Sequence, residues 1–158
     1  MAIMPLHFRL AEVREHPKIQ EMVIDSFEPI TWFKKLDEQI EPLNGRDWRT
    51  RWEARLRQVF EKQIVLIGET GEEIAAMSSG TVDLDSALGY IDLLAVDRRF
   101  QGRGYGKDML RGMTQHMKEV GAQYVYLDCL TDNDTANALY RGEGFREVAR
   151  QIRWVRKI

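Results

Sequence analysis

The chain holds a single cysteine, Cys129, among 158 residues. One thiol cannot close a disulfide within the chain, so a packed core has to hold the fold, and this usage fits a reducing compartment. No apolar run approaches the ~20 residues that a bilayer crossing needs. The opening MAIMPLHFRLAEVREH also lacks the cationic start and long apolar stretch of a secretory leader. A soluble cytoplasmic protein with no membrane partner is the expectation. Positive charge in surplus is missing too: 23 basic residues stand against 25 acidic ones, a formal net charge of -2. That argues against a nucleic-acid partner, which calls for a basic excess. The three histidines, His7, His16 and His116, share no ligand-like spacing, so no metal site is expected. Cys129 reads as a small buried hydrophobe rather than a nucleophile.

What is present reads as one domain over residues 1–158, long enough for a core and a cleft. HFRLAEV (7–13) alternates like a half-buried strand. Pro17 suits a first helical turn, and Ile19, Met22, Val23 and Phe27 follow at helical spacing up to Pro29. Residues 30–45 mix aromatics with acids and end in a loop at Pro42, Asn44 and Gly45. A second helix is expected from about Arg46 to Lys62, with Trp48, Trp52, Leu56, Val59 and Phe60 on one face. QIVLIGE (63–69), EEIAAMSSGTVDL (72–84) and GYIDLLAV (89–96) read as three strands. Residues 104–120 return to a helical pattern closed by Gly121. AQYVYLDCL (122–130) is a further strand, TDND caps a helix over Asp134 to Gly142, and two last strands are expected near 144–150 and 151–157. The order β-α-α-β-β-β-α-β-α-β-β makes an α/β chain of the α+β type, with a mixed sheet. A C-terminal strand with an open edge would let two copies pair as a homodimer.

One stretch stands apart. In VDRRFQGRGYGKDML (96–110), Gly102, Gly104 and Gly106 alternate among Arg98, Arg99, Arg103 and Lys107. An apolar strand leads in and a patterned helix leads out. The first turn of a helix has N–H groups without internal partners and a partial positive charge, and glycines let an anion approach them closely. A phosphate site built from backbone follows; a flexible loop is the bland alternative. The P-loop pattern fails, because Asp108 follows Gly106-Lys107 and Gln101 stands where its first glycine belongs. The dinucleotide pattern GxGxxG fails on spacing, although Asp128 lies roughly where a ribose-binding acid belongs.

Gln101-Gly102-Arg103-Gly104-Tyr105-Gly106 resembles the Q/R-x-x-G-x-G/A signature of the GNAT superfamily of acetyl-CoA-dependent acyltransferases. Asn133-Asp134-Thr135-Ala136-Asn137-Ala138-Leu139-Tyr140, followed by Gly144-Phe145, resembles the family's N-x-x-A-x-x-L-Y…G-F pattern. The resemblance implies acetyl-CoA as cosubstrate, with its pyrophosphate on the amides of residues 101–107 and Lys107 nearby. It implies a splay between the central strands, where the Leu94 N–H binds the acyl oxygen and Ala95 and Val96 hold the arm. It makes Tyr140 the group that protonates the leaving thiolate, and Asn133 both helix cap and coenzyme contact. Without the resemblance, Tyr140 reads first as a core tyrosine on the buried side of a short helix.

A carboxylate inside an apolar strand is costly unless solvated or paired. Asp92 and Asp128 both break such patterns. Tyr90, Asp92 and Leu94 are expected on one face of their strand, and Tyr124, Tyr126 and Asp128 on one face of theirs. Either carboxylate could act as base toward an amine or orient it; either could instead accept hydrogen bonds from loop amides. Trp32, Phe33, Asp37, Glu38 and Glu41 would suit a cationic acceptor, a small-molecule or peptide amine, and equally describe a solvated loop. Two rival readings remain at this point: an acyl-CoA-binding module without catalysis, and a nicotinamide-nucleotide enzyme.

Overall fold

The computed structural model describes residues 4–158, which fall into a first unit ending at Asp128 and a second, Cys129–Ile158. In the first unit, strand β1 (His7–Leu10) is followed by helices α1 (His16–Phe27), α2 (Trp32–Gln39) and α3 (Trp48–Lys62). Strands β2 (Ile64–Thr70), β3 (Glu73–Asp83) and β4 (Leu88–Val96), helix α4 (Tyr105–Val120) and strand β5 (Tyr124–Leu127) complete it. The helices begin where their caps dictate. The Asp47 carboxylate accepts from the Arg49 N–H ahead of α3, and the Thr31 hydroxyl accepts from the Phe33 N–H ahead of α2. That hydroxyl also accepts from the Trp52 indole at 2.9 Å, tying α2 to α3.

The five strands lie in sequence order, antiparallel from β1 to β4 and parallel between β4 and β5, with α4 as the crossover. One face is covered by α1 and α3. Ile19, Met22, Val23, Trp48, Trp52, Leu56 and Val59 pack there on Val65, Ile67, Met77, Leu93 and Ala95. The opposite face takes α4: Met117 lies over Gly80 and Gly89, and Met109 over Gly68. Gly80 is obligatory, since a Cβ there would stand 2.0 Å from the Tyr90 carbonyl oxygen.

Within residues 30–45, to which the sequence assigned no helix, Trp32–Gln39 is helical: Phe33 turns edge-on to Trp52 at 5.4 Å and Leu36 is buried. Three expectations are corrected. The first strand stops at Leu10, and β5 covers only Tyr124–Leu127 of the expected 122–130. The two closing strands near 144–150 and 151–157 do not form. In the second unit, helix α5 (Asp134–Gly142) stands as expected, but residues 145–158 carry no regular element. A strand exists only in a ladder, and alternation in a sequence reports propensity, not a partner. Val148, Ile152 and Trp154 are exposed there, Trp154 by 87%. The open-edged C-terminal strand that suggested a homodimer is therefore absent.

Candidate active site

Strand β4 carries the central irregularity. Ser79 lies opposite Leu93 and Gly80 opposite Ile91, so Asp92 is an extra residue with no partner on β3. Such a bulge reverses the alternation beyond it. The sharing of one face by Tyr90, Asp92 and Leu94 is thereby broken. Leu94 sits opposite Ser78, on the face away from Leu93 and the α1–α3 core.

The same reversal sets the backbone. The Asp97 N–H donates to the Ala75 carbonyl at 2.9 Å, and an antiparallel ladder alternates. Counting back through Val96 opposite Ala76 and Ala95 opposite Met77, the Ala95 N–H and C=O face β3. Those of Leu94 and Val96 face the other way. Parallel pairing with β5 runs only from Leu88 to Ile91. Past Ile91, no strand among the described residues pairs with that side of β4, so β4 and β5 part where the bulge lies. The Ala95 side chain is buried in the core.

After Val96, the Asp97 carboxylate caps a single 3-10 turn, Arg98–Phe100, and the chain enters the glycine segment. The Gln101 side-chain amide donates to the Val96 carbonyl at 3.2 Å, fastening the segment to β4. Gly102 and Gly104 hold φ of 79° and 82°, in the left-handed region that favours glycine. Neither position has an atom within 4 Å of where a Cβ would stand. Gly104 caps α4 without a side chain, and the first helical bond is Asp108 N–H to the Gly104 carbonyl at 3.2 Å. The Tyr105 and Gly106 amides therefore precede the helix's own ladder. The Tyr105 ring is buried between Phe100 and Ala75, its hydroxyl donating to the Met4 carbonyl at 2.7 Å, so only its backbone serves the turn. This part fits a diphosphate: unobstructed glycines, first-turn amides and a helix dipole.

Of the cations, Arg98 reaches Asp25 and Glu28, and Arg99 reaches Asp97 and Glu73. Arg103 lies over the Phe100 ring at 5.2 Å and is exposed, and Lys107 is exposed on the first turn of α4.

The carboxylates differ sharply. Asp92 is almost buried, with a side chain 7% exposed; it pairs with Arg55 of α3 and accepts from Gln63 at 2.9 Å. Asp128 is exposed and accepts from the Tyr90 hydroxyl at 3.4 Å, while Tyr90 stacks on Tyr126 at 4.8 Å. Burial, with the Asp92 and Asp128 charges behind it, pushes the Tyr90 phenol up to about 12. Asp37 is taken up by Arg51. Sequence reasoning singled out Asp92 but missed Arg55 and Gln63. A carboxylate in an apolar strand was the available signal that some partner exists.

In the second unit, the Asn133 side chain accepts from the Ala136 N–H at 3.3 Å, as a cap. Tyr140 meets Phe145 edge-on at 6.0 Å. Burial, with Cys129 as the lesser cause, pushes its phenol up to about 12. Burial raises the Cys129 thiol, and Asp132 adds to that. Among the described residues no group of three or more His, Cys, Asp or Glu could hold a metal, and no helix is long and apolar enough to cross a membrane.

A mixed five-stranded sheet thus holds a β4 that parts from β5 at a bulge and leads through a glycine turn into α4. The acetyltransferase (GNAT) family model matches residues 27–145, and the chain belongs to that family. It is 39% identical over 66 residues to the N-alpha-acetyltransferase RimI of Mycobacterium tuberculosis, covering 42% of this chain and 40% of that protein. It is 36% identical over 58 residues to the spermine/spermidine N(1)-acetyltransferase of Bacillus subtilis, covering 36% and 38%. The matched stretches thus span less than half of these curated relatives. Among solved structures, the ribosomal-protein-S18-alanine N-acetyltransferase of Escherichia coli superposes with a TM-score of 0.68 at 17% identity, over 91% of this chain and 79% of that one. The aminoglycoside N-acetyltransferase AAC(6')-Iy, crystallised with CoA, does so with 0.69 at 10% identity, over 99% and 98%. Both share the fold.

Proposed function

We propose that residues 1–158 act as one domain, a cytoplasmic N-acetyltransferase that passes the acetyl group of acetyl-CoA directly to a primary amine. The observation that carries this reading is the outward set of Leu94 and Val96 on β4, followed directly by a glycine turn with open Cβ positions. Backbone donors suit the carbonyl and amides of an acyl arm, and first-turn amides suit a diphosphate.

The Leu94 N–H polarises the thioester carbonyl while the amides of residues 102–106 fix the diphosphate. An alkylammonium near ~10.4 must lose a proton before attack. Asp128, exposed and held by Tyr90, is the proposed acceptor for it; Asp92 is engaged by Arg55 and orients. The amine nitrogen then bonds to the carbonyl carbon, the C–S bond breaks, and the surplus proton of the adduct ends on sulfur. A phenol at about 12 is a weaker acid than a free thiol near ~8.5. Tyr140 therefore works first as a hydrogen-bond donor to the developing thiolate. Asn133 caps α5 and contacts the coenzyme.

The relatives' names point to cationic amines, peptide N-termini or polyamines, as acceptors. The test is an amine panel with detection of free thiol, run beside melting curves with acetyl-CoA and with NADH. Stabilisation by acetyl-CoA alone, with thiol released by cationic amines, is the expected result. Tight binding with no turnover across the panel would make the chain a binding module. Stabilisation by NADH alone would make it a nucleotide enzyme.

A further inference from the structure

The Asp92 bulge does more than accommodate a carboxylate. Were Asp92 paired with Ser79 instead of bulged, the register beyond Gly80–Ile91 would continue unbroken, and Leu94 would face Met77. Met77 is the position whose partner, now Ala95, bonds to β3. The Leu94 N–H would then be spent on the sheet, and its side chain would turn into the α1–α3 core.

What holds the extra residue is a small polar cluster on the helical side of the sheet. Arg55 of α3 pairs with one Asp92 oxygen, and Gln63, at the end of α3, donates to the other at 2.9 Å. The Arg55 guanidinium lies over Trp52 at 5.2 Å, which fixes its direction. The cluster is not economical. Arg55 Nη1, Gln63 Oε1 and the Ser79 hydroxyl are buried with no hydrogen-bond partner, and Ser79 flanks the bulge. An incompletely satisfied, largely buried ion pair is a poor source of stability, and apolar residues of like volume often do as well or better.

We propose that Arg55 and Gln63 are positioning residues. By drawing the Asp92 carboxylate to the α3 side, they lock the bulge and so keep the Leu94 and Val96 N–H groups facing the acyl arm of acetyl-CoA. The proposal rests on the N-acetyltransferase reading and adds to it how the arm site is kept in register.

Two ligands separate the parts of the site. Adenosine 3',5'-bisphosphate carries phosphates and no arm, whereas acetyl-CoA carries both. In the Arg55→Met/Asp92→Leu double variant and in Gln63→Leu, acetyl-CoA affinity is expected to fall on the order of tenfold, from the loss of one or two backbone hydrogen bonds. Affinity for the bisphosphate is expected to stay at the wild-type value, and the melting temperature of the double variant to hold or rise. Gln63→Glu with Asp92→Asn, which keeps a hydrogen-bonded pair, is expected to restore part of the arm affinity. Unchanged acetyl-CoA affinity with reduced kcat in Asp92→Asn would overturn the proposal and make Asp92 a catalytic group. Equal loss of both ligands, or a fallen melting temperature in every variant, would reduce the cluster to a structural role and overturn it as well. Wild-type protein that binds neither ligand would instead sink the acetyltransferase reading itself.

Discussion

Tyr140 keeps its proton far above neutrality, since burial pushes its phenol up to about 12. A phenol so buried stays in its protonated form over the whole range in which an amine becomes nucleophilic. Replacing it with Phe is expected to lower kcat about a hundredfold while leaving the KM for acetyl-CoA within about twofold, measured by thiol release. The same burial has a stability consequence. A phenol raised from 10.0 to about 12 favours the folded state fully below pH 10, and that contribution is lost as pH climbs through 12. Tyr140→Phe is therefore expected to show a shallower alkaline loss of stability between those limits in urea titrations. Tyr90, raised likewise to about 12, contributes to the slope that remains.

At the scale of elements, the turn from β4 into α4 tests how backbone makes a site. Gly104 has φ of 82° and nothing within 4 Å of a Cβ position. Gly104→Ala thus meets no clash but holds a left-handed alanine, at a cost of ~1–2 kcal/mol. Melting in the absence of ligand is expected to fall by a few degrees, and the added stabilisation by acetyl-CoA to shrink, because the methyl fills open space beside the turn. The turn was legible in the sequence, since its glycines sit between an alternating strand and a 3.6-residue pattern. Helices α1, α3 and α4 and strands β2 to β4 were legible for the same reason. Helix α2 was harder: Phe33 finds its partner in Trp52 of α3, far along the chain, and no local pattern shows that face. The bulge could not be read at all, because an extra residue is defined by the partner strand. Asp92 announced a need for a partner, but Arg55 lies 37 positions earlier, and no local pattern links them.

For the molecule as a whole, exposure is distributed unevenly among the tryptophans. Trp48 and Trp52 are buried at 5% and 7%, whereas Trp154 is 87% exposed in a segment without regular structure. Iodide is expected to quench the Trp154 emission and to leave that of Trp48 and Trp52 largely untouched. Trp154→Phe would then remove most of the quenchable fraction, and protection of Trp154 in the dilute protein would show the segment packed. That segment is also where pattern reading failed, since Ile152 and Trp154 alternate with charged or polar neighbours yet carry no ladder.

The offset in β4 also shapes how this chain tolerates change over time. Positions proposed to serve through peptide groups place little demand on the letter encoded there, so Leu94 and Val96 are expected to drift among apolar alternatives. Their spacing is less free, because one residue added between Ile91 and Asp97 would have to be taken up by a second offset or would turn every group downstream to the other face. Inheritance should therefore be permissive toward misspelling at these two positions and far less tolerant of added length.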